Sequence, residues 1–234
     1  MKQLGVLGGM GPAASAEFMV RLAARTPARK DQDHIPTILW SDPRVPDRST
    51  SVQRGDDAPL PYLQAGVQGL INCGCDYIVI PCNTAHFWFH ELEKMDVRFA
   101  HIVDSVADRL RELKVVNTTI GVMGTKGTIE LGLYQYRLNK LGWRCVCPTV
   151  EEMDKNVQPA IDLIKAGKID QAYMLLIDVV NRLVESGVSA VVLGCTEIPL
   201  AVREESWKGT PLVNSIDSLV SSALREFGVD TIQK

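Results

Sequence analysis

Apolar residues along this chain gather in short unbroken runs, separated by stretches in which they recur every three or four positions. Leu4–Leu7, Ile35–Trp40, Tyr77–Ile80, Thr119–Met123, Trp143–Cys147, Ala190–Leu193 and Leu212–Asn214 read as buried strands, and a further strand is expected near Phe99–Val103. Between them Pro12–Arg25, Pro59–Asn72, Val106–Lys114, Val157–Ala166, Ile169–Glu185 and Ser218–Phe227 read as helices. Another helix is entered through Thr125-Lys126-Gly127-Thr128 and ends near Leu141. Pro12 suits a first helical turn, where its missing N–H would have had no partner in any case. The polar, proline-marked segment Ser41–Gly55, with Arg44, Asp47 and Arg48, reads as a loop able to reach a ligand. Strands alternating with helices at this spacing predict an α/β fold with mainly parallel sheets flanked by helices.

The pattern repeats. An offset of 113 carries Leu70 onto Leu183, Gly74 onto Gly187, Val79 onto Val192 and Cys82 onto Cys195. A nearby offset of 116 carries Leu4-Gly5-Val6-Leu7-Gly8 onto Ile120-Gly121-Val122-Met123-Gly124. An internal duplication predicts two pseudosymmetric lobes, 1–113 plus 210–234 and 114–209, with the last helix returning to the first lobe. A site is expected where two such lobes face each other.

Composition narrows the classes. The 234 residues are 46% hydrophobic, enough for two real cores, and the net charge of −3 with scattered Lys and Arg argues against nucleic acid as a partner. No apolar run reaches the length of a membrane span, and Met1-Lys2-Gln3 leads straight into the first strand with no signal-peptide pattern. A soluble cytoplasmic protein without a membrane partner is expected, its six cysteines being free thiols in that reducing compartment.

Two of those cysteines carry the chemistry. Cys82 in Ile80-Pro81-Cys82-Asn83-Thr84-Ala85-His86 and Cys195 in Leu193-Gly194-Cys195-Thr196-Glu197 each follow a strand, so each thiol is expected at a strand's carboxyl end, where open α/β sheets bind ligands. A free thiol is largely protonated at neutral pH, and a helix start beside each turn would favour the thiolate. Asn83, Thr84 and Thr196 add donors able to hold a carboxylate. The plainer alternative is that both cysteines are small core fillers, and their repeat-equivalent polar settings argue against it. Two opposed thiols suit a reaction in which one takes a proton from carbon and the other returns a proton to the opposite face.

Gly8-Gly9-Met10-Gly11-Pro12, Pro81-Cys82-Asn83-Thr84-Ala85-His86 and Gly194-Cys195-Thr196-Glu197 together resemble the aspartate/glutamate racemase family. The likeness is nearest its cofactor-independent aspartate racemases, through Thr26-Pro27-Ala28, Asp31-Gln32-Asp33-His34-Ile35-Pro36 and Pro46-Asp47-Arg48. The resemblance implies a homodimeric amino-acid racemase that uses neither pyridoxal phosphate nor metal, with Cys82 and Cys195 as the acid/base pair. It further implies that Arg48 and Lys165 grip the side-chain carboxylate of aspartate, and that Met10, Asn83, Thr84, Thr125 and Thr196, beside Glu197, hold the substrate. On the residues alone, Arg48 could equally be a solvated loop cation and Lys165 part of a solvated helix face with Lys168. Other superfamily substrates, namely glutamate, hydantoins or maleate, are the alternative. A non-catalytic dicarboxylate-binding protein is the alternative of a different class.

Cys73-Gly74-Cys75 and Cys145-Val146-Cys147 lack zinc-site spacing, and His86 and His90 lack a third ligand nearby in sequence, so no metal site is expected. His86 is expected to hydrogen-bond locally. Gly8-Gly9-Met10-Gly11 is only loosely like a dinucleotide loop.

Overall fold

The structure is a computed structural model describing residues 2–116 and 118–229. Met1, Asn117 and residues 230–234, the last closing the segment assigned above to the first lobe, lie outside the described residues. The chain divides into two compact units: residues up to Ser105 joined by those from Ile216, and Val106–Ser215.

The first unit is built on β1 (Leu4–Gly8), α1 (Pro12–Arg25), β2 (Thr37–Ser41), α2 (Arg48–Arg54), α3 (Leu60–Asn72), β3 (Tyr77–Val79), α4 (Phe89–Leu92), β4 (Arg98–Phe99) and the start of α5 (Ile102–Glu112). Its sheet has the order β2-β1-β3-β4, with every neighbouring pair parallel. β1 and β3 are buried along their whole length, which is why both read as unbroken apolar runs rather than alternating ones. Leu7, Ile78 and Ile80 pack with Leu63, Val67 and Leu70 of α3 in one core.

The second unit holds β5 (Thr119–Met123), α6 (Lys126–Glu130), α7 (Leu133–Asn139), β6 (Arg144–Val146), α8 (Val150–Glu152), α9 (Gln158–Lys165), α10 (Ile169–Glu185), β7 (Val191–Leu193), α11 (Ile198–Ala201), β8 (Ser206–Trp207) and β9 (Thr210–Asn214). Its sheet runs β6-β5-β7-β9-β8, parallel except for the β8–β9 hairpin. Leu176, Val180 and Leu183 of α10 lie fully buried in its core with Val191 and Leu193.

The duplication is written into the strand registers. Gly5 pairs with Ile78 and Val6 with Val79 in the first sheet, while Gly121 pairs with Val191 and Val122 with Val192 in the second. The two sequence offsets therefore carry one strand pair onto the other, residue for residue.

Helix α12 (Ser215–Glu226) belongs to the first unit from Ile216 onward. There Arg21 of α1 bridges Glu17 and Asp217 at 2.7 Å each, and Arg25 reaches the Asp217 carbonyl and the Ser221 hydroxyl, both at 2.8 Å. Such partly exposed ion pairs are each worth about 1 kcal/mol or less, so the register of α12 rests more on its buried Ile216, Leu219, Val220 and Ala223.

Three expectations need correction. The loop expected over Ser41–Gly55 contains α2, capped by Asp47, whose carboxylate accepts from Thr50 N–H at 2.8 Å, and stopped by Gly55 at φ +69°. Its polar sequence hid a helix that local capping, worth about 0.5–2 kcal/mol at the N-cap, makes possible. The strand expected near Phe99–Val103 is only Arg98–Phe99, because the N–H groups of Ile102 and Val103 are taken by buried histidine nitrogens and open α5 instead. The helix expected to end near Leu141 is broken in two at Gly132, which adopts φ +64°. The hairpin strand β8 coincides with no element expected from the sequence.

No described helix is long and apolar enough to cross a membrane. Leu183 of α10 is fully buried in the core with Val191 and Leu193 of β7, and its side chain lies beside Gly121 of β5. Leu183→Ala is expected to cost about 2–5 kcal/mol by urea unfolding, the usual range for a buried leucine.

Candidate active site

In each sheet the strand order reverses between two neighbours, β1 and β3 in one and β5 and β7 in the other. At such a switch point successive loops diverge to opposite sides and leave a crevice beyond the carboxyl ends of the strands. The segments that leave those four ends are Gly8–Gly11, Ile80–Thr84, Gly124–Thr125 and Gly194–Glu197. Eight of the ten residues singled out from sequence, all but Arg48 and Lys165, lie in these segments.

In the first unit the β1 turn is stitched by Ser15, which is fully buried. Gly9 N–H donates to Ser15 Oγ at 2.9 Å, and that hydroxyl donates to the Gly11 carbonyl at 2.9 Å. Gly9 has φ +90°, and a Cβ there would stand 2.4 Å from the backbone of Asp42, so only glycine lets the β1 and β2 loops approach this closely. Met10, Val45 and Cys82 are buried together in the core beneath. Cys82, Asn83 and Thr84 are almost wholly buried, and the turn continues into a short 3₁₀ segment, Thr84–Trp88. His86 Nε2 accepts from the Ile102 N–H at 3.2 Å, which places the ring proton on Nδ1, where it donates to the Cys82 carbonyl at 2.9 Å.

Arg44 and Arg48, paired in the sequence as loop cations, have different fates. Arg44 forms a two-pronged pair with Asp42, Nε to Oδ1 and Nη2 to Oδ2 at 2.9 Å each, and those hydrogen bonds hold the Asp42 carboxyl below its usual range. Arg48 opens α2, half-buried, with Nη1 donating to the carbonyls of Val45 at 3.2 Å and Pro46 at 3.1 Å. Its Nε is buried without a hydrogen-bond partner, and among the described residues no carboxylate pairs with it. A guanidinium fixed by neutral carbonyls and left without a counter-ion is suited to an anionic ligand.

In the second unit Thr125 caps α6, its hydroxyl accepting from Thr128 N–H at 3.2 Å. The Cys195 thiol is buried and donates to Glu197 Oε2 at 3.1 Å, and the Thr196 hydroxyl reaches the same oxygen at 3.3 Å. A carboxylate buried beside a thiol can exchange a proton with it. Tyr134, fully buried, packs its ring against this turn: a Cβ on Gly194 would lie 2.8 Å from Tyr134 Cε2 and 2.8 Å from the Met123 carbonyl. Burial pushes the Tyr134 phenol far above its usual range, with the nearby Cys195 adding to the rise against a side-chain hydrogen bond with Ser215, so it stays a neutral phenol. Lys165 ends α9, exposed, next to Ile164 of the core.

The helix starts expected to favour the thiolates are not substantial. A 3₁₀ segment follows Cys82, and after Cys195 only Ile198–Ala201 is α-helical. A helix dipole needs several aligned turns, so these short segments lend the thiols little, and at Cys195 the nearest polar group is the Glu197 carboxylate, which accepts from the thiol. Sequence reasoning missed Tyr134, Ser15 and the linkage of His86 to α5, since none of them shows a spacing signal. The direct neighbour Glu197 was legible as polar, though its aim at the Cys195 sulfur was not.

The remaining cysteines are differently placed. Cys145 on β6 and Cys147 just after it are half-buried, and burial pushes their thiols up to about 12 and about 11. Among the described residues no three His, Cys, Asp or Glu side chains gather as metal ligands.

The fold and the four strand ends define the class: two doubly wound α/β units related by duplication, each with a thiol at its switch point. The profile of the Asp/Glu/hydantoin racemase family matches residues 7–223, and the chain belongs to that family. The structure is similar to an aspartate racemase of Picrophilus torridus, at TM-score 0.86 and 28% identity, over 99% of this chain and 96% of that one. In sequence it is similar to the broad-specificity amino-acid racemase RacX of Bacillus subtilis, 24% identical over 96% of this chain and 97% of that protein. It is also similar to the glutamate racemase of Persephonella marina, 27% identical over 73% of this chain and 68% of that protein.

Two outcomes are expected from the site's geometry. Gly194→Ala should lose about 1–3 kcal/mol of stability in thermal unfolding, because the added methyl meets a rigid ring and a carbonyl at once. With iodoacetamide at pH 8, mass spectrometry should show the exposed Cys73 labelled well ahead of Cys145 and Cys147, whose thiols remain protonated until the pH approaches 11 to 12.

Proposed function

We propose that this protein interconverts L- and D-aspartate by a two-base thiol/thiolate mechanism without pyridoxal phosphate, Cys82 and Cys195 being the two bases. The observation that carries the proposal is the equivalence of the two thiols: matched registers, Val6 on Val79 and Val122 on Val192, put one cysteine just beyond β3 and the other just beyond β7. Each unit contributes one base. The resemblance of the structure to the Picrophilus aspartate racemase supports the substrate.

In the reaction, one cysteine as thiolate takes the α-proton, breaking the C–H bond and leaving its electron pair on a carbanion delocalised into the α-carboxylate. The other cysteine, as thiol, gives its proton to the opposite face of the α-carbon. The product is the mirror image, and the two sulfurs have exchanged protonation states, so the reverse reaction uses them in swapped roles. Such chemistry requires both sulfurs to reach one α-carbon from opposite sides. The α-proton is very weakly acidic, and donors aimed at the charge growing on the carboxylate lower the barrier most, at about 3–4 kcal/mol for one well-placed donor. Asn83, Thr84, Thr125 and Thr196 supply these donors in this reading, with the turn at Met10 shaping the cavity wall. Glu197, hydrogen-bonded to the Cys195 thiol, accepts and returns the proton that resets that cysteine between turnovers. Arg48, with no acidic partner, takes the side-chain carboxylate together with Lys165.

Glutamate racemases and a broad-specificity racemase stand among the relatives, which favours a second reading in which the side-chain pocket also admits glutamate. The same reading places the enzyme in the cytoplasm as a homodimer.

Purified protein with a thiol reductant and no added pyridoxal phosphate is expected to convert L-aspartate to D-aspartate by chiral chromatography. Cys82→Ala and Cys195→Ala should each lose on the order of 10²- to 10⁴-fold in rate, the scale of general acid–base help, while still binding aspartate. Normal turnover in either variant would reject the two-base assignment, and turnover of glutamate in place of aspartate would move the substrate. Arg48→Ala should raise KM for aspartate about 10- to 100-fold, the range for a lost charged hydrogen bond, and leave alanine little affected.

A further inference from the structure

We infer that His86 is a positioning residue for Cys82, acting as a fixed neutral imidazole that ties the carbonyl of the cysteine turn to the first N–H of α5. The Cys82 turn runs directly into a short 3₁₀ segment, Thr84–Trp88, that carries His86. Three bonds act on the peptide planes of the turn: Cys82 N–H to the Ile80 carbonyl at 2.8 Å, His86 N–H to the Asn83 carbonyl at 3.0 Å, and the imidazole bond to the Cys82 carbonyl at 2.9 Å. The C=O of Cys82 and the N–H of Asn83 belong to one planar trans peptide and point in opposite directions. Fixing the carbonyl on His86 therefore fixes the direction of the next backbone donor after the sulfur.

The far side of the ring is equally determined. Nε2 accepts from Ile102 N–H at 3.2 Å, and His101 Nδ1 accepts from Val103 N–H at 3.2 Å, so two imidazoles satisfy donors at the start of α5 that no helical carbonyl can reach. The two rings meet edge to face at 4.8 Å, and Phe89 stacks on His86 at 5.6 Å and meets His101 at 4.7 Å. Held on both nitrogens and packed on its faces, His86 has one tautomer and one orientation. The side chain has the two properties that this place requires, one donor and one acceptor on a rigid frame, and it makes no demand for charge.

The catalytic consequence rests on the proposed racemase reading, whereas the effect on the thiol does not. The test compares the intact protein with His86→Phe, which keeps the ring and loses both nitrogens, and His86→Gln, whose amide restores one donor and one acceptor. Site-resolved iodoacetamide labelling, followed by mass spectrometry, is expected to show Cys82 in His86→Phe reacting about tenfold more slowly, the order of one hydrogen bond to a charged group, and Cys195 unchanged. His86→Gln should recover most of the Cys82 rate. Racemisation by His86→Phe should show a fall in kcat of similar size with KM nearly constant, again recovered in His86→Gln.

Nitrogen-15 spectra of the unaltered protein provide a measurement that survives any failure of a variant to fold. They should show His86 with a protonated Nδ1 and an unprotonated Nε2 throughout neutral pH, and the opposite tautomer would overturn the inference. Equal slowing of both cysteines, or a Cys82 rate that His86→Phe leaves unchanged, would overturn it too. If the unaltered protein racemises no amino acid while the labelling pattern holds, the positioning role stands and the proposed reaction falls.

Discussion

The parallel pairing of β1 with β3 and of β5 with β7 is the constraint on which the rest depends. Each pair places two loops side by side at the carboxyl end of its sheet, and neighbouring strands stand only about 4.8 Å apart, so residues that leave adjacent strands are forced together however far apart they lie in sequence. Gly8 and Ile80, more than seventy positions apart, become neighbouring strand ends through the Val6–Val79 register. The second unit repeats the arrangement with Gly124 and Gly194. A one-residue slip of either register would turn every side chain of that strand to the other face and remove its thiol from the crevice.

The two cysteine turns share a position yet are built differently. At Cys82 the backbone is held by a neutral histidine, and the polar neighbours are amide and hydroxyl groups. At Cys195 the sulfur itself meets a carboxylate, and a buried tyrosine fills the space over Gly194. Duplication supplied the scaffold, and divergence since then has given each thiol its own surroundings. A reaction that needs one thiol and one thiolate at the same moment, as proposed here, is served by two sites that are equivalent in placement and unequal in environment.

Arg44 and Arg48 illustrate how structure sorts residues that look alike. Both are arginines of one proline-marked segment. Asp42, two residues before Arg44, neutralises it in a fork geometry. Arg48 lies on the first turn of a helix whose own cap, Asp47, is committed to a backbone N–H, and it is left to two carbonyls. Charge alone would have ranked them equally, and the availability of a counter-ion separates them.

The strands β1, β3, β5 and β7 were legible because strands buried on both faces are forced to be continuously apolar, and the duplication was legible because equal folds need equal spacing of glycines and apolar residues. The cysteine turns could be found for the same reason, as polar punctuation at the end of such runs, and with them the family. Helix α2 was not legible, since a short polar helix depends on its caps and leaves no apolar stripe. Nor was the start of α5, where Ile102 and Val103 have strand-like side chains, and the helix is decided by imidazole nitrogens from His86 and His101 accepting their N–H groups. The same holds for Tyr134 against Gly194 and for Glu197 against the Cys195 sulfur. Periodicity along a chain records which face of an element is buried, whereas hydrogen-bond direction and close packing are set by residues brought from elsewhere, and only the tertiary structure decides those.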